Sequence, residues 1–261
     1  MTEPKLHDRI ALITGAGRGI GRAIALGYAQ AGAAIAATAR TENELDSLLR
    51  EVRALGKKAI AIPADLGRPA APEEIVRRTL EAFGTLDILV NNAGVGSSAG
   101  PRPVADFDDA LWHLSLAVNL TAPYLLCKAV LPTLLEKRHG RIINIASIIG
   151  KMGLLHGVAY AASKHGLLGL TRTLAMEVAG AGITVNAICP GPVRSLMADR
   201  RLAYDAQRLG LEPEQIEKRS TPIGRRLEPE EIVPMALLLA SDESAGITGQ
   251  AFNVCGGAAM F

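Results

Sequence analysis

Aromatic side chains are scarce in this chain. Phe, Tyr and Trp make up 3% of its 261 residues while apolar residues make up 49%, so Ala, Leu, Ile and Val must fill the core. That mix suits a parallel sheet covered by helices on both faces. An excess of charge of one sign is lacking too. Lys and Arg number 28 against 26 acids, and the resulting +2 gives no basic stripe of the kind a nucleic-acid binder needs. Cysteine is limited to Cys127, Cys189 and Cys255, with no CxxC and no histidine cluster beside them. This excludes a disulfide framework and a zinc site, and predicts a reducing compartment and no metal. The start, MTEPKLHDRIALITG, has charges where a signal peptide needs an apolar run. No apolar run reaches the length of a membrane span; even HGLLGLTRTLAMEV is broken by Arg172 and Glu177. Together these absences predict a cytoplasmic protein with neither nucleic acid nor membrane as partner.

What is present is alternation. RIALIT (9–14), AAIAAT (33–38), KAIAIPA (58–64), LDILVN (86–91), GRIINIAS (140–147), GITVNAI (182–188) and AFNV (251–254) read as strands. Between them lie stretches such as NELDSLLREVRALG, whose apolar positions recur every three or four residues as on one face of a helix. Such βαβ repetition predicts an α/β fold: a doubly wound, seven-stranded parallel sheet with helices on both faces, one domain over 1–261. The stretch 192–226 breaks the rhythm, with no strand and a helical run, SLMADRRLAYDAQRLGLEPEQIEKRS. It follows a strand's C-terminal end, where such sheets bind ligands, so it reads either as a substrate lid or as a solvated helical excursion.

After the first strand comes Thr14-Gly15-Ala16-Gly17-Arg18-Gly19-Ile20-Gly21, opening directly into a helix. Gly15 and Gly19 permit a tight turn and close approach of backbone to a pyrophosphate. Gly21 lets helix pack on strand, and the helix N-terminus offers free N–H groups. The spacing is TGxxxGxG and not GxGxxG, since Ile20 stands where the third glycine would be. An NAD site usually places an acid at the end of the second strand to hold the ribose 2′-OH. Here the strand ends Thr38-Ala39-Arg40, and Arg18 adds a second guanidinium suited to a phosphate. These residues predict NADP(H), unless Arg40 is simply solvated.

In YAASK, Tyr160 and Lys164 lie four residues apart and would share one helix face. An ammonium beside a phenol favours the phenolate and would lower the Tyr160 pKa. Alone, the pair reads more readily as two ordinary helix residues, since Tyr and Lys at this spacing often occur by chance.

In combination these motifs resemble the classical branch of the short-chain dehydrogenase/reductase family, over essentially the whole chain. TGAGRGIG is similar to that family's cofactor turn. The resemblance implies that Asp65, with Leu66 beside it, holds the adenine ring, and that Asn92, Ala93 and Gly94 of NNAG flank the cofactor. It implies that Pro190-Gly191, followed by Val193 and Ser195, cradles the nicotinamide. A Thr is common near Ser195, whose hydroxyl can make the same bond. Asn119, Ser147, Tyr160 and Lys164 match the catalytic tetrad. The implied roles are a Tyr160 proton donor tuned by Lys164, which also holds the ribose; a Ser147 hydroxyl on the carbonyl oxygen; and an Asn119 that bends its helix and anchors a water.

KMGLLHGVAYAASKHG and NVCGG look like bacterial polyketide ketoreductases, and KRHGRIINI like 3-oxoacyl reductases. Val95-Gly96-Ser97-Ser98 and Ala181 depart from the two patterns. The apolar residues Ile148, Ile149, Met152, Leu154 and Leu155, with Leu196, Met197, Leu202 and Tyr204 of the excursion, predict an apolar ketone as substrate. Lys151 and the arginines of the excursion leave room for a carboxylate or CoA tail, but Asp199, Asp205, Glu212, Glu214 and Glu217 interleave with those arginines, which favours a solvated mixed surface. His156 reads either as a pocket residue or as an ordinary loop histidine. The resemblance also implies a homotetramer. In support, NLTAPYLLCKAVLPTLLEK and AYAASKHGLLGLTRTLAMEV are too apolar to be covered by one sheet face each. An NAD-dependent alcohol or polyol dehydrogenase and a non-catalytic dinucleotide sensor are the alternative readings.

Overall fold

The computed structural model describes residues 5–261. Among them, seven strands form one wholly parallel sheet in the order β3-β2-β1-β4-β5-β6-β7. They are β1 (Ile10–Thr14), β2 (Ala34–Ala39), β3 (Ala59–Pro63), β4 (Ile88–Asn91), β5 (Gly140–Ile145), β6 (Ile183–Pro190) and β7 (Ala251–Val254). Each falls within two residues of its predicted bounds. Helices α1 (Gly19–Gln30), α2 (Glu42–Ala54), α3 (Ala71–Phe83), α4 (Asp109–Leu116), α5 (Ala122–Lys137), α6 (Val158–Val178), α7 (Leu196–Leu209), α8 (Pro213–Arg219) and α9 (Val233–Ala240) connect them.

The scarcity of rings shows in how the sheet is covered. Along β1, Ala11 and Ile13 join a cluster with Ile24 and Tyr28 of α1, Leu45 of α2 and Ala236 of α9. Their neighbours Ile10 and Leu12 face the other way, into a cluster with Ile75 of α3, Leu126 and Val130 of α5 and Leu174 of α6. Both faces of the strand are therefore dry, as its unbroken apolar run requires. Strand order reverses between β1 and β4, so the crevice beyond their C-terminal ends is the topological switch point. The loops after β1 and β4 carry the glycine turn and NNAG.

Two findings depart from the sequence expectations. First, α4 and α5 fuse through a π-helical turn at Ala117–Thr121 into one helix, Asp109–Lys137, long and apolar enough by length and composition to cross a membrane. The expectation that no stretch reaches that length fails because the π-turn keeps the helix running past Asn119. Leu126, Val130 and Leu134 bury one face of this helix against the sheet, as a core helix does. Second, 192–226 is closed at its base by a single parallel bridge between Val193 and Leu227. Helices α7 and α8 thus leave and rejoin the body at one point.

Candidate active site

The glycine turn is shaped by close approach. Gly15 has φ of +64°, and a Cβ there would stand 2.9 Å from the Ala93 Cα. Thr14 binds the two loops together: its hydroxyl accepts from the N–H groups of Asn92 and Ala93, each at 3.0 Å. The Asn92 amide donates to the Thr14 and Gly15 carbonyls at 2.9 and 3.2 Å. Helix α1 starts at Gly19 with no side chain capping its N–H groups and no acid in its first turn, which leaves those donors for an anion. A dinucleotide pyrophosphate fits this cradle. Arg18 and Arg40 are both exposed. Arg18 lies 3.5 Å from Glu44. Beyond the C-terminal end of β3, Asp65 is exposed and accepts from the Gly67 N–H at 2.9 Å, and Leu66 is buried.

Across the crevice, Ser147 follows β5 and Tyr160 and Lys164 lie in the first two turns of α6. Ser147 is buried, and its hydroxyl accepts from the Ile149 N–H at 3.1 Å. Lys164 is also buried and donates to the Ile145 carbonyl at 2.7 Å, its Nζ 5.8 Å from the Tyr160 ring centroid. Burial disfavours the ammonium and lowers its pKa to about 8. Asn119 sits in the π-turn, fully buried, with its amide exchanging two hydrogen bonds with the Val95 backbone (2.7 and 2.9 Å) and donating to Ser163 at 3.0 Å. A Cβ on Gly94 would lie 3.2 Å from Asn119 Oδ1 and 3.9 Å from Lys164 Nζ, so Asn119, Gly94 and Lys164 share one wall.

The expected direction of the Tyr160 pKa is not met. Its phenol lies above the ordinary value because burial disfavours the phenolate. The neighbouring Ser147 hydroxyl opposes this only in part. The Lys164 ammonium turns to the Ile145 carbonyl.

Pro190 ends β6, and the Gly191 N–H donates to the Val254 carbonyl at 3.0 Å. Val193 is buried in the bridge. Ser195 caps α7, its hydroxyl accepting from the Ala198 N–H at 3.2 Å. Met197 of α7 lies on Gly96, where any Cβ would collide with its thioether. His156, with φ of +57°, shares a 2.6 Å hydrogen bond with the Tyr204 hydroxyl and lines a narrow cavity with Ser97, Phe107 and Tyr160. Arg201 donates to the Leu155 carbonyl at 2.8 Å and stacks on Tyr204. Helix α7 is therefore fastened to the loop that leads into Tyr160.

One charge expectation changes, and the mixed surface expected of the excursion is seen. Lys151 is turned away to the Ala251 carbonyl (2.8 Å) and the Asn253 amide oxygen (2.7 Å), so it offers no charge to a substrate tail. Arg194, Arg201 and Arg208 are paired with Glu217, Asp205 and Asp205. Sequence reasoning missed the amide chain behind the site, in which Asn91 donates to Asn144 and Asn144 to Thr171, each at 2.9 Å. The available signal was an Asn near the C-terminal end of each of two predicted strands, now seen in direct register.

The family model described as short chain dehydrogenase matches residues 9–205. The chain is 43% identical to the protein assigned as ketoacyl reductase 1 of the granaticin polyketide synthase of Streptomyces violaceoruber, over 95% of this chain and 92% of that one. It is 40% identical to the Escherichia coli 3-oxoacyl-[acyl-carrier-protein] reductase FabG, over 97% and 98%. Among solved structures, a variant of actinorhodin polyketide ketoreductase with NADPH superposes with a TM-score of 0.92 at 38% identity, over 97% of this chain and 98% of that one. Carveol dehydrogenase from Mycobacterium avium in complex with NAD superposes with a TM-score of 0.91 at 29% identity, over 98% and 99%.

Proposed function

Because the chain belongs to the short-chain dehydrogenase/reductase family, we propose that it reduces an apolar ketone, such as a β-ketoacyl compound, to a secondary alcohol with NADPH, Tyr160 acting as general acid. The observation that carries this reading is the gathering of buried Ser147, Lys164 and Asn119 around Tyr160, with Lys164 Nζ 5.8 Å from the Tyr160 ring and beside Gly94 of the loop that packs on the glycine turn. Bound NADPH would supply the hydride to the carbonyl carbon. The developing alkoxide then needs a proton, and Tyr160 gives it while Ser147 hydrogen-bonds the same oxygen. A phenol held above its ordinary pKa is fully protonated at neutral pH, which suits reduction. Lys164, charged below about 8, holds the nicotinamide ribose and returns the proton to Tyr160. Asn119 fixes the wall around it, consistent with its role in a solvent relay.

On the cofactor side, Gly15, Gly19 and Ile20 hold the pyrophosphate and Arg18 and Arg40 the 2′-phosphate. Asp65 and Leu66 flank the adenine, while Asn92, Ala93, Gly94, Pro190, Gly191, Val193 and Ser195 surround the nicotinamide half. Helices α7 and α8 are the lid, which excludes water during transfer. The test is turnover. With NADPH and an apolar diketone or β-keto ester, one secondary alcohol should form per NADPH consumed. A keto-sugar preferred tenfold, about 1.4 kcal/mol in kcat/KM, would overturn the apolar assignment.

A further inference from the structure

Glu44 stands where a selecting acid is needed although the sequence lacks one at the end of β2. A Cβ built on Gly17 would lie 2.5 Å from Glu44 Oε2 and 3.4 Å from the Ala39 Cβ, so the carboxylate rests on the glycine turn beside Ala39. The acid that usually holds the ribose 2′-OH would occupy position 39. Glu44 reaches this place from the first turn of α2, is one-third exposed, and pairs with Arg18 at 3.5 Å. Both residues line an open cavity of about 380 Å³ between the starts of α1 and α2, together with Arg22, Asn43 and Ser47. Arg22 is held by Glu51 at 2.6 Å.

We propose that Glu44 is a cofactor-selecting residue that weakens the preference for NADPH and admits NADH. This rests on the dinucleotide site assigned above. A 2′-phosphate entering the cavity must take Arg18 from Glu44 and then lie beside a like charge, which works against its binding. The free 2′-OH of NADH meets no such repulsion and finds in Glu44 a carboxylate acceptor. Arg40, exposed at the end of β2, remains the cation for the phosphate.

The experiment measures dissociation constants of NADPH and NADH by nicotinamide fluorescence, with no ketone present. It compares wild type, Glu44→Gln and Glu42→Gln, the last an exposed acid in the same turn. The ratio Kd(NADH)/Kd(NADPH) should rise at least threefold in Glu44→Gln and less than that in Glu42→Gln. Because a ratio is read, loss of some folded protein does not affect it. A smaller rise, a fall, or an equal effect in Glu42→Gln would overturn the inference. Wild type binding NADH the more tightly would instead overturn the NADPH preference proposed above, leaving Glu44 to be judged by its ratio change. Binding of neither nucleotide would overturn both.

Discussion

At residue 164, burial and function oppose one another. The ammonium is dry, and its pKa falls to about 8, yet the proposed proton relay needs it charged. It is charged below that value and neutral above it. Tyr160 moves the other way and stays protonated across the same range. A loss of reductive activity at alkaline pH is therefore the expected signature of Lys164. The profile of kcat/KM with NADPH varied reports groups in the cofactor-free protein, and it should fall above about 8 with the slope of one proton. A profile flat to about pH 10, the ordinary lysine range, would remove Lys164 from the relay.

At the scale of elements, the glycine turn is a steric contract between β1, α1 and the loop after β4. A Cβ at Gly21 would run into the Asn92 amide and the Gly15 carbonyl, which together join the two loops. Gly21→Ala should lower stability by about 1–3 kcal/mol, the usual cost of overpacking, and weaken NADPH binding more than Gly169→Ala, whose Cβ meets open space. Urea unfolding and nucleotide titration measure the two effects, and equal behaviour of the two variants would refute this view of the turn. Much of this architecture is legible in the sequence because short unbroken apolar runs and period-3.6 apolar patterns report burial directly, and because TGAGRGIG, NNAG and YAASK carry fixed spacings. Less legible are features made by contact between distant segments. The π-turn at Asn119, the His156–Tyr204 bond and the capture of Lys151 by β7 depend on tertiary neighbours that no local pattern encodes. The direction of the Tyr160 shift is hidden for the same reason. Spacing places Lys164 on the same helix face, but only the fold sends its ammonium to Ile145.

Across the whole molecule, apolar surface remains after the sheet is covered. Tyr124 and Leu135 on the long helix and Met176 on α6 are exposed, on the two segments whose sequences exceed what one sheet face can hide, and Leu114 is exposed earlier on the long helix. Closed two-fold packing would cover them, and a homotetramer is the expected assembly. Light scattering at micromolar concentration should give four times the chain mass, and a monomer mass would refute it. The central claim, however, is that one phenol carries the acid chemistry of the crevice. Its most direct test is Tyr160→Phe, which keeps the ring and deletes the donor, assayed with NADPH and the best ketone found for wild type. Turnover should fall by about 10²–10⁴-fold while NADPH binds with nearly unchanged affinity. Retention of more than about a tenth of the wild-type rate, against that expected loss, would contradict the account.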